Sequence, residues 1–224
     1  MTENLKQLAQ FLKAKGNLKQ EVYNSTTEVF EELKIILHEY SNYLQKELKE
    51  ELFEVEYDEN GKFEARLKFA GDLLIFSMHT NVFSFEDDFH INKTEYVKND
   101  ERNKYVGMIE VYNYLADSFK YSRMNDVGYL IARIFVNKDY HFFLEGEEKL
   151  GFLYKDFDKL VINQEMIKLI VEQIMAYCID FDLWVPKYSM VKELTVAQKT
   201  ISGGTISHKT GKRLGFDISD VKKD

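Results

Sequence analysis

The fold class is decided by residues 52–69, which read LFEVEYDENGKFEARLKF. Apolar and charged residues alternate on both sides of Asn60-Gly61, a dipeptide typical of tight hairpin turns. Alternation with a period of two is the pattern of a strand that buries one face. Residues 52–69 therefore predict two antiparallel strands joined by a two-residue turn.

Further strands are predicted close behind this hairpin. After a turn at Gly71-Asp72, residues 73–78 and 82–85 predict a second strand pair, and residues 130–136 predict another strand. Residues 106–115 fit a strand or a helix. The next two strand candidates flank a loop at residues 145–149, and they cover residues 140–144 and 151–154. Because most of these intervals are too short for helical crossovers, we expect an antiparallel sheet.

One long interval separates the strands. Residues 86–104 are polar and show no clear period, so they predict a long surface loop.

Helical periodicity precedes the strands. A short helix over residues 4–15 is predicted to end at Gly16. The residues that share its apolar face are Leu5, Leu8 and Leu12. Residues 25–28, Ser-Thr-Thr-Glu, match a capping box and predict a second, long helix over residues 26–48. This helix either lies across the sheet or pairs with a second copy.

Helical periodicity returns after the strands. Asn163 is predicted to cap a helix that runs to about Cys178. Pro186, the only proline, suits the first position of a last helix. The apolar positions of that last helix are Met190, Leu194, Ala197 and Ile201.

Blocks of helix, strand and helix along the chain favour an α+β fold. We expect an antiparallel sheet of about five to seven strands, packed by a long N-terminal helix and a C-terminal helix. Residues 1–201 are predicted to form one domain. Residues 202–224 are rich in glycine and basic residues and are predicted to form a mobile tail, or one that orders on a partner.

Composition narrows the class of protein. The 224 residues are 45% hydrophobic and 30% charged, which allows one sizeable core. The single cysteine, Cys178, excludes an internal disulfide and most zinc-finger frameworks. No apolar run approaches the roughly 20 residues that cross a bilayer, and the N-terminus lacks the order of a secretion signal. We expect a cytoplasmic protein of bacterial or phage origin that does not bind membranes.

The net charge of −8 is unevenly distributed. Residues 187–224 hold 8 Lys+Arg against 4 Asp+Glu, a net charge of +4, so residues 1–186 carry −12. An acidic body argues against nucleic-acid binding by the domain as a whole. Binding of a polyanion is therefore expected only through the tail. Its candidate residues are Lys199, His208, Lys209, Lys212 and Arg213.

Two segments, 79–90 and 139–149, contain side chains of the types that bind divalent metals. The candidate ligands are His79, Asp87, Asp88, His90, His141 and Glu145. Asp139 with Glu147-Glu148-Lys149 also resembles the carboxylate pattern of metal-dependent nucleases, but this triplet is predicted at a hairpin tip. Because no spacing matches a defined zinc or calcium motif, a metal-dependent hydrolase or nuclease is an alternative hypothesis only.

A third candidate site lies between residues 117 and 129. Polar groups beside aromatic rings are what a small-molecule or peptide site requires. Its candidate residues are Lys120, Tyr121, Arg123, Asn125 and Tyr129. An aromatic sheet with half-exposed tyrosines explains the same residues without a ligand.

No catalytic motif is found. The chain has no Gly-x-Ser-x-Gly elbow and no Walker motif, and it indicates no cofactor. The leading hypothesis is a non-enzymatic protein-interaction or regulatory module that binds a protein partner or a second copy of itself. The long helix, the aromatic sheet face and the tail are its candidate surfaces.

Overall fold

The computed structural model describes residues 2–146, 150, 154–180, 185, 187–193 and 195. Its helices are α1 (Glu3–Glu47), α2 (Glu95–Asn99), α3 (Ala116–Lys120), α4 (Gln164–Ile179) and α5 (Tyr188–Val191). Its strands are β1 (Val55–Glu59), β2 (Glu64–Phe69), β3 (Asp72–Met78), β4 (Phe83–Ser84), β5 (Tyr105–Leu115), β6 (Tyr129–Asn137) and β7 (Phe142–Gly146). The predicted α+β class is confirmed.

All seven strands join one antiparallel sheet in the order β1-β2-β3-β5-β6-β7, with β4 paired to β5. The hairpin over residues 52–69 is present, but residues 60–63 separate its strands, so the connection is longer than predicted. Gly61 has φ +73°, which explains its place in this turn. The predicted pairing of residues 73–78 with 82–85 is wrong, because Phe83 pairs with Val106 of β5.

One face of the sheet is covered by α1 and α4. Phe30, Leu33 and Leu37 of α1 pack in the same buried cluster as Ile170 and Ile174 of α4. α1 approaches the sheet closely at Gly107 of β5, where an added Cβ atom would clash with Thr26 Oγ1. The long helix therefore lies across the sheet, as one of the two interpretations predicted.

The opposite face is covered at its β5–β7 end by residues 83–104. Instead of the predicted loop, this segment contains α2 and two 3₁₀ turns at His90–Lys93 and Glu101–Lys104. Ile91 and Val97 are buried against Phe135 and Phe143 of the sheet. Three short turns in succession produce no single hydrophobic period, and for this reason the sequence pattern did not reveal them.

α1 is one uninterrupted helix of 45 residues, so the predicted end at Gly16 and the predicted start at Ser25 are both wrong. Ser25, Thr26 and Thr27 cap nothing, because they lie inside the helix. Their hydroxyls donate to the carbonyls of Glu21, Val22 and Tyr23, four residues back, at 3.0, 2.7 and 2.8 Å. This internal bonding satisfies the hydroxyls without ending the helix.

The C-terminal helix α4 confirms the prediction for residues 163–178. Asn163 Oδ1 accepts from the Met166 amide at 2.9 Å, and Cys178 is buried. Of the predicted last helix, α5 is described, whereas Pro186, Leu194, Ala197, Ile201 and the tail from residue 202 lie outside the described residues. None of the described helices combines the length and the apolar character needed to cross a bilayer.

Candidate interaction surface

The first fifteen residues of α1 extend past the body of the protein. We call residues 3–17 the arm. Every residue of the arm is exposed, and the first buried residue of the helix is Leu18. Four large apolar side chains of the arm are open to solvent: Leu5 at 50%, Leu8 at 62%, Phe11 at 74% and Leu12 at 75%. So many exposed apolar side chains in one short element indicate a binding surface.

These side chains continue the buried stripe of the same helix. Each residue of an α-helix turns by about 100°, so Leu8 and Phe11 lie within roughly 40° of the direction of buried Val22. By the same rule Leu12 lies about 80° and Leu5 about 100° away from Val22, and they point in the directions of buried Phe30 and Ser41, at the edge of the buried stripe. The arm therefore carries an apolar face of the kind that is buried elsewhere in α1, but it lies beyond the end of the sheet.

The end of the sheet is marked by Tyr105, the first residue of β5. Lys15 Nζ contacts the Tyr105 hydroxyl and lies 3.7 Å from the centroid of its ring. The arm carries three lysines and one glutamate, a net charge of +2, in a chain whose residues 18–186 carry −14. The arm thus extends beyond the body, and its net charge has the opposite sign to that of the body.

The predicted metal ligands are dispersed. His79, Asp87, Asp88, His90 and Glu145 are exposed, whereas His141 is half-buried. Glu145 accepts a hydrogen bond from Arg133 Nε at 2.7 Å. His79 Nδ1 bonds the Asn81 amide at 3.1 Å. Within the described ranges, no three His, Cys, Asp or Glu side chains come together in a way that could hold a metal ion.

His141 belongs to a hydrogen-bonded cluster around the β6–β7 turn. Its ring stacks on Tyr96 with 4.2 Å between centroids, and its Nδ1 bonds the Phe157 carbonyl at 2.9 Å. Tyr96 Oη donates to Asp139 Oδ2 at 3.0 Å and accepts from Asn137 Nδ2 at 3.1 Å. Burial and the Asp139 carboxylate raise the pKa of Tyr96 to about 12, although the Asn137 hydrogen bond opposes them. The cluster fixes a turn, and its rings are packed against one another.

Asp139, the first residue of the nuclease-like pattern, is held in this cluster. Burial raises the pKa of Asp139, but hydrogen bonds from Lys138 and Tyr96 outweigh it, and the net shift is downward. Residues 147–149, which complete the pattern, lie outside the described residues.

The predicted ligand cluster is brought together in part. Lys120 Nζ and Arg123 Cζ lie 5.4 and 5.5 Å from the centroid of the Tyr121 ring. Asn125 is exposed, and Tyr129 packs against the core under α1 and α4. Three of the five predicted residues thus lie together.

Lys120 and Arg123 line a groove of about 890 Å³ beside β1–β3. Phe53, Leu73 and Phe119 supply its apolar surface, and the carboxylates of Glu51, Glu54 and Asp117 line it too. Arg123 Nη1 is 3.9 Å from Asp126 Oδ2, while its buried Nε is left without a hydrogen-bond partner in the described structure. Both charge signs line the groove, so its electrostatics select no single class of ligand.

Lys199, His208, Lys209, Lys212 and Arg213, the predicted polyanion-binding residues, lie outside the described residues.

Sequence reasoning recognised three of the four apolar residues of the arm but not their role. The sequence pattern predicts that Leu5, Leu8 and Leu12 share one face of a short helix, and it does not mark Phe11. The signal that could have revealed the arm is the phase of the stripe. Leu8 and Phe11 are in register with Leu18 and Val22, which a single helix through Gly16 would explain.

Comparison with known proteins supplies no relative. No protein-family model matches the chain, and no curated protein or solved structure shows significant similarity to it.

Proposed function

We propose that the protein is a non-enzymatic protein-interaction module whose binding element is the arm. The observation that carries this proposal is the run of exposed apolar side chains from Leu5 to Leu12, in phase with the buried stripe of α1. An amphipathic helix face of this kind binds by laying its apolar side against a complementary apolar surface.

The free energy gained by burying apolar side chains favours the binding of a partner to the arm. Isolated helices of about 12–15 residues are marginal in water, and most helical stability in proteins comes from packing an amphipathic face. Burial of a leucine or phenylalanine side chain stabilises by about 1.5–3 kcal/mol. Four such side chains are 50–75% exposed, so their burial against a partner would contribute strongly to the free energy of association.

We place this function in the cytoplasm of a bacterial or phage-infected cell. The only cysteine is buried in the core, so the cysteine content does not call for an oxidising compartment.

Site-specific photocrosslinking in living cells tests the proposal. The photoreactive residue p-benzoylphenylalanine replaces Phe11 in one variant and Ile35 in the control. Ile35 is 51% exposed on the side of α1 that faces away from the sheet. We expect one defined protein adduct, identified by mass spectrometry, from position 11 and none from position 35. Equal crosslinking at the two positions would contradict the proposal.

A further inference from the structure

We infer that Asn60 is a site of spontaneous deamidation, and that the carboxylate formed there loosens the β1–β2 hairpin. Asn60 is the only asparagine of the chain that precedes a glycine. In deamidation the backbone nitrogen of the following residue attacks the side-chain amide of the asparagine, so a side chain on that following residue hinders the attack. Glycine has no side chain, and Asn60 is therefore the asparagine at which the sequence hinders the reaction least.

The structure leaves the attacking nitrogen accessible. Asn60 and Gly61 are both exposed, and they lie in the connection between β1 and β2. The Gly61 amide makes no hydrogen bond within the described residues, so no structural bond has to break before hydroxide removes its proton. The surroundings are open as well, since a Cβ atom added to Gly61 would meet nothing within 4 Å.

Within the described chain, a single exposed hydrogen bond holds the side chain of Asn60. Its Nδ2 donates to Glu64 Oε1 at 3.0 Å, while the Asn60 backbone N–H donates to the Glu64 carbonyl at 3.1 Å. Water replaces an exposed side-chain hydrogen bond at little net cost. The Asn60 side chain can therefore leave Glu64 and bring its Cγ to the Gly61 nitrogen, while the backbone bond keeps the connection in place.

The reaction needs only water and its hydroxide ion. Hydroxide removes the Gly61 amide proton, the nitrogen forms a bond to Asn60 Cγ, and the Cγ–Nδ2 bond breaks. Nδ2 takes a proton from water and leaves as ammonia, so that a cyclic imide remains. Water then opens this ring at either carbonyl carbon: opening at Cγ gives aspartate, and opening at the main-chain carbonyl gives isoaspartate. No atom is oxidised or reduced.

The aspartate product changes the contact with Glu64 from attraction to repulsion. The amide that donates to Glu64 Oε1 becomes a carboxylate, which can only accept hydrogen bonds. Arg66 Nε already donates to the same Oε1 atom at 2.8 Å, so its charge is balanced before the second carboxylate forms. Like charges that face each other across an antiparallel pair destabilise it. The hairpin should therefore open more readily at this end after deamidation.

The isoaspartate product affects the same end of the hairpin through its backbone. Its main chain runs through Cγ, so the path between residues 60 and 61 is longer by a methylene group. The backbone bond from Asn60 to the Glu64 carbonyl lies directly beyond the β1–β2 pairs, which end at Glu59 and Ala65. A longer connection between Asn60 and Glu64 displaces this bond, so both products loosen the hairpin.

Peptide mapping of the full chain by mass spectrometry tests the site during incubation at 37 °C and at pH values from 7 to 9. We expect the peptide that contains Asn60 to gain the mass difference between an amide and a carboxyl group at least about tenfold faster than the peptide that contains Asn81, an exposed asparagine before Val82. The rate should increase with pH, because hydroxide produces the attacking nitrogen, and Asn60→Gln should suppress the mass gain. A rate at Asn60 no higher than that at Asn81 would overturn the inference.

Hydrogen exchange of the variant Asn60→Asp tests the loosening of the hairpin. We expect the amides of β1 and β2 to exchange with solvent about two- to fivefold faster than in the wild-type chain. The matched control Asn81→Asp introduces the same charge at an exposed position outside the hairpin and should leave that exchange unchanged. Circular dichroism checks that both variants fold. Equal exchange of these amides in Asn60→Asp and in the wild-type chain would overturn the loosening.

Discussion

Asn137 shows how one side chain can hold a turn. It is fully buried at the end of β6, and its Oδ1 accepts from the backbone amides of Asp139 and His141 at 2.9 and 3.0 Å. Its Nδ2 donates to Tyr96 Oη at 3.1 Å. Between these bonds Tyr140 is held at φ +63°, a backbone conformation that non-glycine residues rarely adopt. The hydrogen bonds of Asn137 therefore stabilise a turn that contains a strained residue.

Asn137→Ala should lower the free energy of unfolding by about 1–3 kcal/mol, because two half-buried backbone amides lose their acceptor. Urea denaturation followed by circular dichroism measures the loss. The control Asn125→Ala, at an exposed position, should change stability by less than about 0.5 kcal/mol. Equal losses in the two variants would show that the hydrogen bonds of Asn137 do not stabilise the turn.

The role of Asn137 could not be predicted from the sequence. A single asparagine before a polar tetrapeptide suggests a turn, but nothing in the pattern tells whether its side chain faces solvent or the backbone. The same limit explains the wrong capping box. Ser25, Thr26 and Thr27 have the types that cap a helix, and the choice between capping and internal bonding depends on the residues packed around them.

At the scale of elements, the arm depends on a helix that passes through two weak positions. Gly16 and Asn17 are poor helix formers, and glycine costs a helix about 1 kcal/mol relative to alanine. A Cβ atom at Gly16 would meet nothing within 4 Å, so packing does not require the glycine. Its φ is not positive either, since Gly61 is the positive-φ glycine of the described chain.

Gly16→Ala should therefore stabilise the arm. We expect the amides of residues 3–15 to exchange with solvent about fivefold more slowly in the variant, which corresponds to about 1 kcal/mol. Hydrogen-exchange mass spectrometry measures this change. Gly61→Ala is the contrasting variant and should destabilise the β1–β2 hairpin, because φ +73° is strained for alanine. Unchanged arm exchange would mean that Gly16 does not limit the helix.

Elements with one sustained period could be predicted, and elements without one could not. The alternation after Asn60-Gly61 and the stripe of α4 predict the correct structure because one face of β2 and one face of α4 are buried along their whole length. Residues 86–104 failed because their helical turns are too short to repeat a pattern. α1 was divided because glycine was interpreted as a stop, whereas packing from Leu18 onward outweighs its propensity.

The prediction of sites was limited because a site depends on which residues the fold brings together from distant parts of the chain. The predicted metal ligands have suitable side chains and lie within two short segments. In the fold, Glu145 accepts a hydrogen bond from Arg133, whereas His141 stacks on Tyr96 and bonds the Phe157 carbonyl. The arm was missed because exposure is a property of the whole molecule. Leu8 and Leu12 have the spacing of a packed helix, and only the position of the sheet shows that nothing in the described chain covers them.

The whole molecule is also linked by tyrosine hydroxyls, and these make its stability sensitive to alkaline pH. Tyr40 on α1 donates to Glu172 on α4, and Tyr140 beside β6 donates to Glu28 on α1. Burial and the Glu172 carboxylate raise the pKa of Tyr40 above the ordinary value of 10, and the hydrogen bond to Glu28 together with burial raises the pKa of Tyr140. Further tyrosines with a raised pKa among the described residues include Tyr57, Tyr96, Tyr112 and Tyr154.

A pKa that is raised in the folded state determines the direction in which stability changes with pH. Above pH 10 the unfolded chain releases these phenolic protons while the folded chain retains them, so the contribution to stability is complete below pH 10 and is lost as pH rises. For Tyr96 the loss should extend to about pH 12. We expect the urea midpoint to fall steeply above pH 10, and the part of the tyrosinate absorbance that comes from the tyrosines with a raised pKa to appear together with unfolding.

Tyr40→Phe/Tyr140→Phe should flatten this fall, because two of the retained protons are then absent. The matched control Tyr43→Phe/Tyr188→Phe removes two exposed hydroxyls and should leave the slope unchanged. If the midpoint stayed constant up to pH 11, or if both double variants flattened the fall equally, the phenol–carboxylate bonds would not hold α1 to α4 and to the β6–β7 turn. In that event apolar burial and the other polar contacts of α1, such as those of Lys34 with Glu59 and of Gln45 with the Val55 carbonyl, would join α1 to the rest of the fold.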